Sequence, residues 1–158
     1  DVPPTALVLE ITESALVDDA AAAARNIELL QAMGVRFAID DFGTGHSSLS
    51  LLQTLPFDEL KIDRSFLAHA HESADDRKIV ASTIELAHGI GMKVVAEGVE
   101  LEASMLLLRE LGCDVAQGYL VSRPIAAADV PGFCVRAGIP IPSAGCHTPP
   151  SASTVASS

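Results

Sequence analysis

The chain has 158 residues, 49% of them apolar and 4% aromatic with no Trp, and a formal net charge of −11; it is long enough for one domain with a core of Ala, Val, Leu and Ile, and short for two. That acidity excludes a general surface for nucleic acid polymers, which would be basic, and docking on anionic lipid, but it leaves room for a single anionic ligand reached through metal ions. No apolar run approaches the roughly 18 to 20 residues that span a bilayer, and no basic-then-apolar leader opens the chain.

Val2-Pro3-Pro4 is an entry loop, and Ala6 to Ile11 is an apolar segment of strand length that carries Glu10 and is closed by Thr12-Glu13-Ser14. Asp18 to Met33 reads as a helix with Asp18 as N-cap and Gly34 as its stop. Phe37-Ala38-Ile39-Asp40-Asp41-Phe42-Gly43-Thr44-Gly45 follows as a second strand that runs into two adjacent carboxylates and a glycine-rich loop. Ser47 to Leu55 is a short helix ended by Pro56, and Phe57 to Asp63 is a third strand with Lys61 near its end. Asp75 to Ile90 is helical with Ile79, Val80, Ile84, Leu86 and Ala87 on the inward side. Met92 to Glu97 is a fourth strand, Leu101 to Leu111 a helix stopped by Gly112, Asp114 to Tyr119 a fifth strand, and Ala126 to Val135 a last helical turn or two. The ordered domain is expected over residues 1–138. The Pro/Ser/Ala-rich segment 139–158 lacks the apolar periodicity that would offset its ordering entropy and reads as a disordered tail.

Strand and helix alternate about five times, the signature of parallel β/α architecture. Glu10, Asp40 with Asp41, Lys61, Glu97 and Gln117 each fall at or near the C-terminal end of a strand. In a β/α barrel those ends converge on the face that carries the active site. Any one polar strand end is ordinary, because loops are polar; five in successive units are not. Adjacent unpaired carboxylates repel by about a kcal/mol in water and more in a cleft, so Asp40 and Asp41 call for a cation. A full barrel has eight strands in about 250 residues, so the fold class expected is α/β, an incomplete TIM-like (β/α) barrel with about five of eight strands. The start at Asp1 rather than Met reads as a piece of a longer protein whose missing strands lie N-terminal. Cys113, Cys134 and Cys146 have no framework spacing and read as thiols in a reducing cytoplasm.

Leu9-Glu10-Ile11-Thr12-Glu13-Ser14, Ile39-Asp40-Asp41-Phe42-Gly43-Thr44-Gly45, Leu60-Lys61-Ile62-Asp63-Arg64-Ser65-Phe66, Val95-Ala96-Glu97-Gly98-Val99-Glu100 and Ala116-Gln117-Gly118-Tyr119 resemble, in order and spacing, the later motifs of EAL domains. Those are bacterial cyclic di-GMP phosphodiesterases with a modified β/α barrel. The resemblance covers about residues 6 to 125. It implies hydrolysis of cyclic di-GMP to pGpG with two Mg²⁺ or Mn²⁺ ions. By position it assigns Glu10, Asp40, Asp41, Glu97 and Gln117 to the metal and metal-water site and Lys61 to orienting the attacking water. Glu13 would hold the loop from Asp41 to Gly45. The ligand chemistry agrees, since hard oxygen donors suit Mg²⁺ and Mn²⁺. The resemblance also implies a cytoplasmic domain, in a parent that can be membrane-tethered, and admits a homodimer through the barrel in that parent.

The sequence departs from the family pattern in lacking the Glu-Ala-Leu segment and the arginine and asparagine that follow it, and His46 stands where a tyrosine is common. Three readings therefore stand. The first is the C-terminal part of a phosphodiesterase, inactive alone. The second is a degenerate EAL domain that senses the nucleotide or binds a protein without turnover, and the third is another metal-dependent barrel enzyme, such as a lyase using Lys61 as base. Asp63 with Arg64 reads as a structural ion pair, and His69 with His71 as a solvated loop.

Overall fold

A computed structural model describes residues 2–12, 15, 20–43, 52 and 54–139. Glu13, the Asp18 cap, most of the helix expected over Ser47 to Leu55 and, apart from Ile139, the tail lie outside the described residues. The chain divides into two compact units, one ending at Arg123 and the other beginning at Pro124.

In the first unit the strands are β1 (Val8–Thr12), β2 (Arg36–Phe42), β3 (Glu59–Ile62), β4 (Lys93–Ala96) and β5 (Val115–Ala116). The helices are α1 (Ala20–Ala32), α2 (Arg64–Leu67), α3 (Ala74–Gly89) and α4 (Glu102–Glu110). All four strand pairings are parallel, and the spatial order is β1-β2-β3-β4-β5. A doubly wound sheet would reverse its strand order midway. Sequential order with right-handed crossovers puts every connecting helix on one face and makes the sheet an arc of a barrel.

The two faces differ as that arrangement requires. On the helix-covered face Phe37, Ile39, Leu60, Ile62, Val94 and Ala96 are all at most 2% exposed. They join α1 through Ile27, α3 through Val80 and Ile84, and α4 through Leu108 in one core. The opposite face carries Glu10, Arg36, Asp40, Glu59, Lys61 and Lys93, with Arg36 bonded to Glu59 at 2.9 Å. Ile79, expected inward, is 46% exposed because the inward stripe of α3 runs through Val80, Ile84 and Ala87.

Short capping contacts set the element ends. Ser73 Oγ accepts the Asp76 N–H at the start of α3, and Asp63 accepts the Ser65 N–H at 2.9 Å at the start of α2, a helix the sequence pattern did not announce. That cap, rather than an ion pair with Arg64, is the work Asp63 does; the hydrogen bond from Ser65 is the main reason its carboxyl sits below the usual range. At the far end of the sheet Asp58 accepts the Phe37 N–H and Asp114 the Val94 N–H, each at 2.8 Å. Just past β4 and β5 the backbone packs tightly at Gly118, where an added Cβ would run into the backbone N and O of Val99. The second unit holds a 3-10 turn at Ala127–Asp129 and α5 (Val130–Ala137), ended by Gly138 in a left-handed C-cap.

Two outcomes follow for stability. Gly118→Ala forces the Val99 backbone away and should lower stability by about 1–3 kcal/mol in thermal or urea unfolding, whereas Gly89→Ala, with open space around it, should not. The carboxyl of Asp114 is held low by the hydrogen bond from His88, against the opposing effect of burial, and by the Val94 N–H. Its stabilisation is therefore complete above the unfolded aspartate value of about 3.9 and is lost as pH falls through the lower folded value. Melting curves of the wild type and Asp114→Asn should differ at neutral pH and converge in acid.

Candidate functional site

Lys61 is the organising residue of the site. It lies on β3, on the face away from the helices, and is 6% exposed. Its Nζ is 2.7 Å from Glu10 Oε2 of β1, 3.4 Å from Asp40 Oδ1 of β2 and 2.6 Å from Glu97 Oε1 just after β4. Burial by itself would depress the lysine pKa. The hydrogen bonds to Glu10 and Glu97 and the negative charges of Glu97 and Asp40 outweigh burial and hold it well above its ordinary value. At neutral pH the group is an ammonium.

The strand register explains how acids from three strands reach one nitrogen. β1 and β2 pair Glu10 with Ala38, and β3 and β4 pair Lys61 with Val95, so these positions share one face of the sheet. Glu97 continues that face one step beyond Ala96, its N–H bonded to Ile62 O at 3.0 Å. Asp40 and Asp41 occupy a bulge: Ile39 pairs with Leu60 and Phe42 with Ile62, so two residues stand opposite Lys61 alone. Asp41 takes the left-handed conformation, φ 55, and its N–H donates to Asp40 Oδ1 at 3.0 Å. The bulge absorbs the extra residue, so Phe42 still faces the core, where it is 8% exposed. The two acids leave the pleat through a bulge inside β2, before the strand ends.

The expected residues separate accordingly. Glu10, Asp40, Glu97 and Lys61 are brought together. Asp41 is exposed beside Asp40 in the bulge, and Gln117 is exposed one residue past β5, with its N–H donating to Ala96 O at 2.8 Å. Glu13 lies outside the described residues. A cleft of about 360 Å³ lies between α2 and the start of α4, lined by Arg64, Ser65, Gly98, Glu100, Leu101 and Ser104 among others; none of the four clustered residues lines it. Asp58 and Asp114, which fasten the other end of the sheet, went unrecognised in the sequence, where an aspartate before a strand is an ordinary loop residue.

The donor set is all hard oxygen, which fits Mg²⁺, Mn²⁺ or Ca²⁺ and not a thiophilic metal. In this arrangement the acids are gathered by the ammonium, and among the described residues no three His, Cys, Asp or Glu side chains form a metal-holding group. Chemically the site presents three carboxylates around one fixed cation.

Comparison with known proteins agrees with this geometry. Over 78% of its length the chain is 48% identical to the bifunctional diguanylate cyclase/cyclic di-GMP phosphodiesterase MucR of Pseudomonas aeruginosa, of which it covers 18%. It is 38% identical over 84% of its length to the cyclic di-GMP phosphodiesterase RocR of the same organism, of which it covers 34%. The chain thus spans between about a fifth and about a third of the length of these relatives. Among solved structures, the PaMucR phosphodiesterase in its c-di-GMP complex superposes with a TM-score of 0.76 at 46% identity, covering 82% of this chain and 52% of that one. The manganese/cyclic di-GMP complex of Klebsiella pneumoniae BlrP1 does so with a TM-score of 0.73 at 35% identity, covering 78% and 31%. The family model for the EAL domain matches residues 1–124, the span that contains all five strands and every residue of the Lys61 cluster, and the chain belongs to the EAL domain family.

Proposed function

We propose that the chain is the C-terminal part of a cyclic di-GMP-specific phosphodiesterase that hydrolyses one phosphodiester bond to give pGpG, and that by itself it turns over negligibly. The observation that carries this reading is the convergence of Glu10, Asp40 and Glu97 on Lys61 from neighbouring strands, in a chain of the EAL family whose relatives include two proteins named as phosphodiesterases for this nucleotide.

In the complete site Glu10, Asp40, Asp41, Glu97 and Gln117 hold two divalent ions, Mg²⁺ or Mn²⁺; manganese is present with cyclic di-GMP in the BlrP1 structure. Such ions, when bound, activate water and stabilise the oxyanions of an in-line displacement. Lys61 stays protonated among the acids, so it orients the attacking water as a donor. A proton-abstracting lyase would need it neutral, which disfavours the third reading. The four carboxylates Glu10, Asp40, Asp41 and Glu97 against Lys61 leave a formal charge of −3, which two divalent ions would offset before the anionic substrate enters. Cysteine usage supports a cytoplasmic setting; separately, no helix among the described residues is long and apolar enough to cross a membrane.

A chimeric barrel, with the missing strands supplied from the EAL domain of MucR, tests the proposal. It should hydrolyse cyclic di-GMP to pGpG with Mn²⁺, and Lys61→Ala should lower kcat by 100-fold or more; the chain alone should show no turnover. A folded chimera that binds cyclic di-GMP with Ca²⁺ but never cleaves it would favour the sensing module instead. For stability, Lys61→Ala in the chain leaves three neighbouring acids unopposed and should cost about 3 kcal/mol at neutral pH. Millimolar Mn²⁺ should restore more of that loss than it adds to the wild type, as read by thermal unfolding with and without EDTA.

A further inference from the structure

A constant offset of 57 residues relates two stretches of the chain. Ile27-Glu28 recurs as Ile84-Glu85 and Gly34 as Gly91, and Asp40 falls on Glu97. The match extends to structure. Both isoleucines are core residues at 2% and 1% exposure. Both glycines have positive φ, 95 and 82, a conformation that glycine adopts without strain. The turn bonds correspond one for one: Val35 N–H donates to Leu30 O as Met92 N–H does to Ala87 O, and Gly34 N–H to Gln31 O as Gly91 N–H does to His88 O.

The following strands correspond too. β2 meets β3 with Ala38 opposite Glu59 and Ile39 opposite Leu60, while β4 meets β5 with Val95 opposite Val115 and Ala96 opposite Ala116. In front of each second strand stands an aspartate with the same two partners. Asp58 Oδ2 accepts the Phe37 N–H at 2.8 Å and faces Gln31 Nε2 at 3.5 Å. Asp114 Oδ2 accepts the Val94 N–H at 2.8 Å and pairs with His88 Nε2 at 2.8 Å. Gln31 and His88 are themselves 57 residues apart.

We infer that the chain contains two copies of one α–β–β unit, α1–β2–β3 and α3–β4–β5, in which Asp58 and Asp114 are positioning residues that lock the strand register placing Asp40 beside Lys61 and Glu97 beside Gln117. A one-residue slip of a strand would send every side chain to the other face, so a bond that ties the start of one strand to the residue before the next protects the site from the opposite end of the sheet. In this scheme Gln117 is the neutral counterpart of Lys61, and His88 is the imidazole counterpart of the Gln31 amide. The equivalence rests on this chain's own bonds and register and stands apart from whether it turns over substrate.

Amide hydrogen exchange by NMR on the full chain tests it, with the α1 amides as control for global unfolding. Asp114→Ala should speed exchange tenfold or more at Val94 and also at Gln117, whose N–H lies at the site end of the sheet, while Phe37 keeps its wild-type rate; Asp58→Ala should do the reverse at Phe37 and spare Val94. His88→Gln, which copies the first unit's solution into the second, should preserve protection at Val94 and Gln117, and His88→Ala should not. Faster exchange at Val94 with Gln117 unchanged would overturn the positioning role. Equal loss in His88→Gln and His88→Ala would overturn the equivalence of the two copies, and that pair decides the matter if Asp114→Ala does not fold.

Discussion

A buried ammonium has few ways to exist, and the sheet is arranged around the one this chain uses. Lys61 sits on a strand with neighbours on both sides, where desolvation penalises its charge. Three carboxylates from β1, β2 and the end of β4 supply the compensation. Because they come from different strands, the charge is satisfied only when those strands are in register, so the same contact that makes the site also reports that the sheet is correctly assembled. The acids need the lysine equally: without a cation they would repel one another in a partly desolvated place.

The division of the sheet into an apolar and a charged face supports that centre. Large side chains fill the helix-covered side at almost no exposure, which fixes strand spacing. Polar residues are confined to the other side, and each strand's C-terminal end contributes there. The site is therefore a consequence of parity: positions an even number of residues apart share the lysine's face, and the β2 bulge is the one place where the chain breaks that count.

Much of this was legible in the sequence. The β/α alternation, the five strands and the acids at their ends could be read from apolar runs punctuated by glycine, because a parallel sheet covered by helices leaves long buried strands as a strong signal. The grouping of Glu10, Asp40 and Glu97 with Lys61 followed from placing strand ends together. What the pattern could not carry was anything that depends on pairing across strands. The bulge at Asp40-Asp41 exists only relative to β3. Asp58 and Asp114 look like loop acids until their partners on the preceding strands are known, and α2, four residues long, is too short to show periodicity. The inward stripe of α3 was misjudged at Ile79, which lies one helical step to the side of the line through Val80, Ile84 and Ala87.

The bulge carries one more implication, for how the gene can vary. Removing a single residue at Asp40 or Asp41 would restore an uninterrupted pleat, keep Phe42 opposite Ile62 and facing the interior, and leave β2 with one carboxylate in place of two. A deletion at the bulge is thus felt as lost charge with the packing kept, a length change elsewhere in the strand turns every residue beyond it to the wrong face, and the same events in the connections between units cost little beyond loop closure.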